Sequence, residues 1–515
     1  MSSPSSVESV RDLLNKPWKT FLFPTIKSDH FYLFLKLGLA ISIIFLISHF
    51  FYLSISYQKP QNQLNQLALK QMFQSEIPKT LTQPPNTSPD PIPTNTPTTI
   101  PTNISHIVFG IGATYSTWEN RRHYSELWWN HTVTRGFVWL DTAPPKNETW
   151  PKTSPPYKVS ADTSSFKYTC DYGSRSAIRI ARILKETFNL GLDNVRWFVM
   201  GDDDTVFFPE NLITVLSKYD HNQLYYIGGN SESVEQNVVH FYTMGYGGGG
   251  FAISYPLAAE LVMILDGCID RYADLYGSDQ KIQSCISEIG VQITKEPGFH
   301  QIDIHGNPYG LLAAHPVAPL VSLHHLDYVD AFFPDMDRVE SLNKLITAYK
   351  SDPGRTIQPS FCYDHTRNWT LSVSWGYVVE LYPYFPTAKE LETPFLTFKT
   401  WKSWSDGPFT VNTRPISWDI CHRPLVYFLN EIDVGQGKTQ SNYKRYASPI
   451  HYECERADYT QPLKVQYVNV SAPIFSSGLW NKAPRRQCCE IINGSDSVVQ
   501  VQVRACQPFE SLTPH

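Results

Sequence analysis

The stretch WFVMGDDDTVFFPENL (197–212) decides the fold class of this chain and locates its chemistry. An apolar strand ends at Met200, and three consecutive carboxylates follow it, Asp202, Asp203 and Asp204. In open α/β sheets, ligands bind beyond the carboxyl ends of the strands. Adjacent carboxylates repel one another unless a cation neutralises them, so the triplet predicts a site for a hard divalent ion. A solvated acidic turn and a structural calcium site are the alternatives.

Strands and a helix alternate on the N-terminal side of this stretch. The segments HIVFGIGA (106–113) and GFVWLDTAPP (136–145) are typical of short buried strands. The segment SRSAIRIARILKETF (174–188) has apolar residues at helical spacing. Another face of that helix carries the arginines Arg175, Arg179 and Arg182. This alternation predicts an α/β domain, which we place at residues 105–350.

The chain beyond Asp352 has a different pattern. Three segments alternate apolar and polar residues with period two, as strands do: SVSWGYVVELY, PLKVQYVNV and VVQVQVRAC. We predict a mostly β, Cys-containing region over residues 351–515.

The N-terminal part contains an apolar run, LGLAISIIFLISHFFYLSI (37–55). Its length is close to the ~20 residues that cross a bilayer, and aromatic residues flank it. It predicts a transmembrane signal anchor at residues 31–57; a cleaved signal peptide and a buried core helix are the alternatives. Five Lys and Arg residues precede the run, whereas only Lys59 and Lys70 follow it closely, and this predicts a cytosolic tail at 1–30 and a lumenal remainder. Pro- and Thr-rich sequence then predicts an extended stem at 58–104.

Two features of the remainder agree with a lumenal compartment. All nine cysteines follow the predicted span, where disulfides persist, and their odd number leaves at least one thiol without an intramolecular partner. Seven N-x-S/T sequons also follow the span: Asn86, Asn103, Asn130, Asn147, Asn368, Asn469 and Asn493.

Composition limits the class of function. A chain of 515 residues with 42% hydrophobic and 14% aromatic residues can bury a sizeable core. The net charge of −5 gives no reason to expect nucleic acid as a partner, because nucleic acid calls for a basic face.

Two motifs after the triplet bear on a binding site. MGYGGGGFAIS (244–254) has four consecutive glycines, which let a backbone approach a ligand closely, although a plain flexible turn is the alternative. LYGSDQKIQSC (275–285) places Asp279 just ahead of a predicted helix, where a carboxylate can take a proton from a hydroxyl group. We predict that Cys268 and Cys285 form a disulfide that closes a loop around Asp279.

Histidines follow these motifs. They lie in GFHQIDIHG (298–306), at His315 and in HHLD (324–327). Imidazole binds manganese or zinc alongside carboxylates, although most single histidines are structural.

The order of acidic triplet, glycine turn, Asp and His resembles that of the fringe and core-1 β1,3-galactosyltransferase clan, over about residues 105–335. The whole chain resembles the plant fringe-related proteins. The resemblance implies a GT-A-like domain with Asp279 as the base and Asp204 and His300 as metal ligands, and His305 and His315 compete with His300. The residues that it implies for donor binding are Ser174, Arg175, Asp202, Asp203, Gly248, Gly249 and Gly250. The clan often has a cysteine in the strand before the triplet; Phe198 and Val199 stand there instead, which leaves Cys170 without that partner.

The function that the resemblance implies is a metal-dependent inverting glycosyltransferase of the Golgi membrane. It would use Mn²⁺ or another divalent cation and move a sugar from a UDP-sugar, with galactose and a β1,3 linkage as one form, to a glycan or glycoprotein. A homo-oligomer is left open. The rival is a non-catalytic lumenal carbohydrate-binding or scaffold protein. A glycoside hydrolase is a weaker alternative, since it needs two carboxylates across the sugar and no metal.

Overall fold

The computed structural model describes residues 101–446 and 454–511, together with Ser42, Ser48 and Thr513. The chain divides into two compact units, Met1–Pro97 and Thr98–His515, and every element named below belongs to the second. The described residues exclude the predicted cytosolic tail, nearly all of the signal anchor and nearly all of the stem. Within the described ranges, no helix combines the length and the apolar character that crossing a membrane requires.

The strands, in chain order, are β1 (Ile107–Gly112), β2 (Gly136–Leu140), β3 (Tyr157–Val159), β4 (Trp197–Asp202), β5 (Val206–Phe207), β6 (Tyr226–Gly228), β7 (Phe251–Ser254), β8 (Ile293–Lys295), β9 (Phe299–His300), β10 (Ile304–Gly306), β11 (Ser322–Leu323), β12 (Pro359–Asp364), β13 (Trp369–Ser374), β14 (Val378–Tyr382), β15 (Phe398–Thr400), β16 (Leu425–Gly435), β17 (Lys438–Arg445), β18 (Tyr467–Pro473), β19 (Cys488–Ser495) and β20 (Val498–Arg504). The described α-helices are α1 (Tyr115–Glu126), α2 (Ser176–Phe188), α3 (Pro209–Leu216), α4 (Val234–Val239), α5 (Tyr255–Arg271), α6 (Ser278–Ile289), α7 (Tyr309–Ala313), α8 (Arg338–Ser351) and α9 (Ala388–Leu391).

A seven-stranded mixed sheet forms the first part of this unit, in the order β3-β2-β1-β4-β7-β6-β8. Strand β1 runs parallel to β4, with Gly112 opposite Asp202 at their carboxyl ends. Strand β7 is antiparallel to both of its neighbours, β4 and β6. Helices α2, α5 and α6 share a buried apolar cluster with the strands, which explains why these strands are apolar runs. The α/β domain that the sequence predicts is confirmed.

A small second sheet, β5-β11-β9, lies next to the acidic triplet. Leu323 of β11 pairs with Val206 of β5 on one side and with His300 of β9 on the other. Because β5 begins two residues after Asp204, this pairing brings the residues that follow β11 to the triplet.

The C-terminal part is a closed barrel of eight strands, β12-β13-β14-β16-β17-β18-β20-β19. In β20 the buried residues Val499, Val501 and Val503 alternate with partly exposed ones, as the period-two pattern predicts. The barrel and the small second sheet share one hydrophobic core, which contains Val373 of β13 and Phe207 of β5. The mostly β character of the region is confirmed, and closure into a barrel goes beyond the prediction.

Four disulfides lie in the unit. Cys268 and Cys285 are bonded as predicted, which ties α5 to α6. The other pairs are Cys362–Cys489, Cys421–Cys454 and Cys488–Cys506. Cys170 is the buried, unpaired cysteine that the odd number requires.

Candidate active site

A cleft of about 860 Å³ opens at the carboxyl ends of β1 and β4. Its walls come from the loop after β1, the acidic triplet, the glycine turn, the start of α6, and the residues that follow β11 and β15. Backbone and side chains from separate parts of the chain thus converge on the point where the sequence predicts a ligand.

Asp202, Asp204 and His324 form a group in the cleft that we call the cleft cluster. One ligand atom of each residue lies within 4.8 Å of the others. His324 Nε2 is 3.1 Å from Asp204 and 3.9 Å from Asp202. His324 Nδ1 is buried without a hydrogen-bond partner among the described residues. Two carboxylates and an imidazole suit a divalent ion such as manganese, so the residues present fit the metal that the sequence predicts.

Charge sets the protonation of the cleft cluster. Burial acts to raise the pKa of Asp204, but the charges of His324 and Arg121 outweigh it and hold that pKa well below its usual range. Burial acts to lower the pKa of His324, but Asp204 outweighs it and raises the pKa to about 9. Burial raises the pKa of Asp202 to about 7, although its side chain is 35% exposed on the cleft side. Of the two carboxylates, Asp204 is therefore the more firmly ionised.

Asp203 is turned away from the cleft cluster towards α1. Its carboxylate accepts hydrogen bonds from Thr117 Oγ1 at 2.7 Å and from Arg121 at 3.1 Å. Arg121 also lies 3.3 Å from Asp204 and 3.1 Å from Asp327. Arg121 thus joins the triplet to the loop after β11, a link that nothing in the sequence near the triplet indicates.

The glycine turn packs closely against the cleft cluster. A Cβ atom on Gly248 would meet the His324 ring at 2.0 Å, so only glycine lets that imidazole approach the carboxylates. Gly250 has φ of +83°, which also favours glycine. Gly248 lines the cleft, whereas Gly249 lies behind it, where its N–H donates to Gln301 at 2.6 Å. Gly250 is not among the lining residues either.

Asp279 is the second residue of α6 and lines the cleft. Its carboxylate accepts the N–H of Gly247 at 3.1 Å. Burial raises its pKa above the ordinary value for aspartate, which makes it a better proton acceptor near neutral pH. Of the nearby acids, Asp303 also lines the cleft, but His325 and Ser231 hold its two oxygens at 2.8 and 2.6 Å.

His300, which the resemblance implies as a metal ligand, lies outside the cleft cluster. His300 binds Glu232 through Nδ1 at 3.1 Å and His315 through Nε2 at 2.9 Å. Both of its ring nitrogens are occupied, and it does not line the cleft, so we replace His300 with His324 as the candidate ligand. Glu232, His300 and His315 form what we call the buried cluster. His305, the other competitor, stacks on tryptophan rings instead.

The start of α2 also differs from the expectation. Ser174 lines the cleft, but Arg175 is turned to the carbonyl oxygens of Thr163, Ser164 and Phe166. Arg179, which helical spacing put on a face other than the apolar one, is buried and donates to the carbonyl oxygens of Ala113 and Trp139 at 2.8 and 3.0 Å. It lines the cleft in place of Arg175.

Two family models match the chain. The model described as "Fringe-like" matches residues 104–307, and the model described as "Protein of unknown function, DUF604" matches residues 236–489. A beta-1,3-glucosyltransferase of Mus musculus is 30% identical over 157 residues, or 29% of this chain and 30% of that protein. A beta-1,3-glucosyltransferase of Homo sapiens is 30% identical over 123 residues, or 23% of each chain. The chain thus spans less than a third of the length of these curated relatives.

One solved structure with a weak likeness is a mannosyltransferase from Pyrobaculum calidifontis in complex with GDP-Man and Mn²⁺. It is 13% identical over 41% of this chain and 62% of that one, with a TM-score of 0.26.

Proposed function

We propose that this chain belongs to a fringe-related glycosyltransferase family and is a metal-dependent inverting transferase with a GT-A-like domain. It moves a sugar from a UDP-sugar to an acceptor hydroxyl. The observation that carries the proposal is the cleft cluster at the carboxyl ends of β1 and β4, in a cleft that also contains Asp279.

Asp202, Asp204 and His324 would hold the divalent cation, with manganese as the preferred ion. When bound, such an ion offsets the charge of the departing diphosphate. The donor nucleotide lies against the loop after β1 and the start of α2, where Thr114 and Ser174 line the cleft. Asp203, held by Thr117 and Arg121, stiffens that end of the cleft.

Asp279 acts as the general base. It takes the proton of the acceptor hydroxyl while that oxygen forms a bond to the anomeric carbon of the donor. The bond from the anomeric carbon to the diphosphate oxygen breaks, and its electron pair leaves with UDP. This single displacement inverts the anomeric configuration, so an α-linked donor gives a β-linked product. The N–H of Gly247 and the disulfide between α5 and α6 keep Asp279 in place.

A screen of UDP-sugars identifies the donor sugar. UDP-galactose with a β1,3 linkage is the first combination to test, and UDP-glucose is the next, because the relatives are named beta-1,3-glucosyltransferases. Acceptors are glycans, glycoproteins or other molecules with a free hydroxyl.

The location belongs to the proposal as well. We place the protein in the Golgi membrane as a single-pass type II protein, on the strength of the apolar run at 37–55 and the sequons that follow it. Endoglycosidase treatment of the expressed protein should increase its gel mobility. An unchanged mobility with a C-terminus accessible to protease from the cytosol would reverse the orientation.

A screen for UDP release tests the activity. The unit Thr98–His515 is incubated with a panel of UDP-sugars, manganese and mixed glycan acceptors. We expect release with one donor above the others. No release with any donor, alongside saccharide binding, would favour the non-catalytic carbohydrate-binding alternative.

A further inference from the structure

A stack of four aromatic rings borders the cleft at the end nearest His324. The His305 ring lies parallel to Trp404 at 4.0 Å and to Trp401 at 4.8 Å, and Trp401 lies parallel to His325 at 4.3 Å. The stack therefore runs from Trp404, which is 62% exposed, inward to His325, the neighbour of His324 in the chain. Nothing in the proposed transfer step uses these rings.

Strand pairing and hydrogen bonds hold the stack in place. Strand β15 pairs with β10, with Ile304 opposite Thr400, and this places Trp401 beside His305. His305 Nε2 lies 2.9 Å from the carbonyl oxygen of Trp401, and Ser403 bonds to Glu235 on α4. Rings held in this way lose little conformational freedom when a ligand binds, which favours affinity.

Tyr328 packs edge-on against Trp401, so the two rings form an open corner beside the stack. The Tyr328 and Trp401 ring planes meet at 72°, their centroids are 4.7 Å apart, and Tyr328 is 46% exposed. Tyr328, Trp401 and Lys402 all line the cleft. The corner thus offers apolar ring surface next to a phenol and an ammonium group. A sugar ring, with a C–H face and a hydroxyl edge, matches that combination better than a purely apolar ligand does.

A second aromatic pair lines the cleft beside the start of α2. Tyr172 and Tyr276 stack at 5.8 Å, and Tyr172 lies two residues before Ser174. This pair adjoins Ser174, which is assigned to the nucleotide, and the corner is left for the second substrate.

We infer that the corner formed by Tyr328, Trp401 and Lys402 is the acceptor subsite and binds a saccharide. The inference rests on the proposed function and adds the chemical class of the acceptor and the residues that meet it. Trp401 and Lys402 lie within the segment matched by the second family model and outside the Fringe-like match, so the C-terminal part of the chain completes the cleft.

The test uses the full chain in detergent with methyl β-glycosides of galactose, glucose and N-acetylglucosamine as probes. Saturation-transfer NMR measures saccharide binding, UDP release measures the acceptor KM, and calorimetry with manganese measures UDP affinity. The variants are Trp401→Ala, Tyr328→Ala and Trp401→Phe, which retains an aromatic ring. Trp418→Ala is the matched control, because Trp418 is 96% exposed and does not line the cleft.

We expect Trp401→Ala and Tyr328→Ala to weaken saccharide binding and raise the acceptor KM about tenfold, with UDP affinity changed less than about twofold. Trp401→Phe should recover most of the loss, and Trp418→Ala should match the parent chain. An unchanged acceptor KM, or a loss of UDP affinity equal to the loss of saccharide binding, would overturn the inference while leaving the transferase proposal standing. Saccharide binding that depends on Trp401 in a chain that releases no UDP would instead support the subsite and overturn the transferase.

Discussion

Two histidine–carboxylate clusters lie near the paired strands β9 and β11, and only one of them meets the cleft. In the buried cluster, His300 is bonded at both ring nitrogens, to Glu232 and His315. In the cleft cluster, His324 faces Asp204 and Asp202 through Nε2, and its Nδ1 has no partner among the described residues. Similar side chains therefore differ in what remains free to bind. Satisfied hydrogen bonds mark a structural cluster, and unsatisfied ones beside a cleft mark a binding site.

Protonation follows the same division. Burial lowers the pKa of His315 well below its ordinary value, and His300 beside it acts in the same direction. The Asp204 carboxylate instead raises the pKa of His324 to about 9, against the effect of burial. His315 is held neutral by its surroundings, whereas His324 is held next to negative charge.

The largest effect that we predict concerns the base beside the cleft cluster. Asp279→Asn should lower turnover by about 10²–10⁴-fold, because the amide cannot accept the acceptor proton although it has nearly the same size. Manganese-dependent UDP binding should stay close to that of the parent chain. Initial rates with the donor found in the screen, together with calorimetry and a thermal melt, provide the measurement. Turnover near the parent rate would place the base elsewhere, with Asp303 the next residue to test and then Asp270 and Asp274.

The second prediction compares the effects of one histidine substitution in each cluster on UDP affinity. His324→Ala should reduce manganese-dependent UDP affinity by at least about 10–100-fold, the loss that follows removal of even an outer partner of a metal ligand. His300→Ala, its matched control on the paired strand, should change that affinity less than about twofold. Calorimetry with UDP and manganese on both variants decides the point. Loss of affinity in His300→Ala alone would restore His300 as the ligand.

The third prediction uses the glycine turn to disturb the cleft cluster without removing a ligand. A Cβ at Gly248 meets the His324 ring at 2.0 Å, so Gly248→Ala should push the imidazole away and lower metal-dependent UDP affinity about tenfold. Gly435→Ala is the control, since a Cβ there meets no atom within 4 Å. Equal affinities in the two variants would mean that His324 does not contribute to the site.

Substitution in the buried cluster should have the smallest effect on function. We predict that it lowers the free energy of unfolding instead. His300→Ala leaves Glu232 Oε1 and His315 Nε2 without their present partner, which costs about 1–3 kcal/mol of unfolding free energy. Urea denaturation followed by tryptophan fluorescence measures this cost. A variant as stable as the parent would show that the buried cluster is not structural.

The sequence was enough for the parts of the site that are local in the chain. The triplet at the end of β4 and Asp279 at the start of α6 were predicted from short motifs, because each depends on one strand end or one helix start. The α/β pattern and the period-two strands were predicted for the same reason. The disulfide between Cys268 and Cys285 was predicted because the two cysteines bracket Asp279 at a separation of 17 residues. The signal anchor and the Golgi location stay predictions.

What the sequence could not supply depends on contacts between distant segments. Selecting His324 over His300 requires the pairing of β11 with β9 and β5, which no local pattern encodes. Arg179 was predicted only to lie on a face other than the apolar one, because helical spacing does not reveal that it donates to the carbonyl oxygens of Ala113 and Trp139. The motif HHLD after an apolar strand was the one available signal for His324. Trp401 reaches the cleft only through the pairing of β15 with β10.

The central claim is that the cleft cluster holds the cation through which UDP binds, and calorimetry of the unit Thr98–His515 tests it most directly. UDP is titrated into protein treated with EDTA and dialysed, and then into the same protein with manganese restored. We predict that UDP affinity is at least about tenfold higher with manganese and that the difference disappears in Asp204→Asn. Equal UDP affinity with and without the metal in the parent chain would contradict the account.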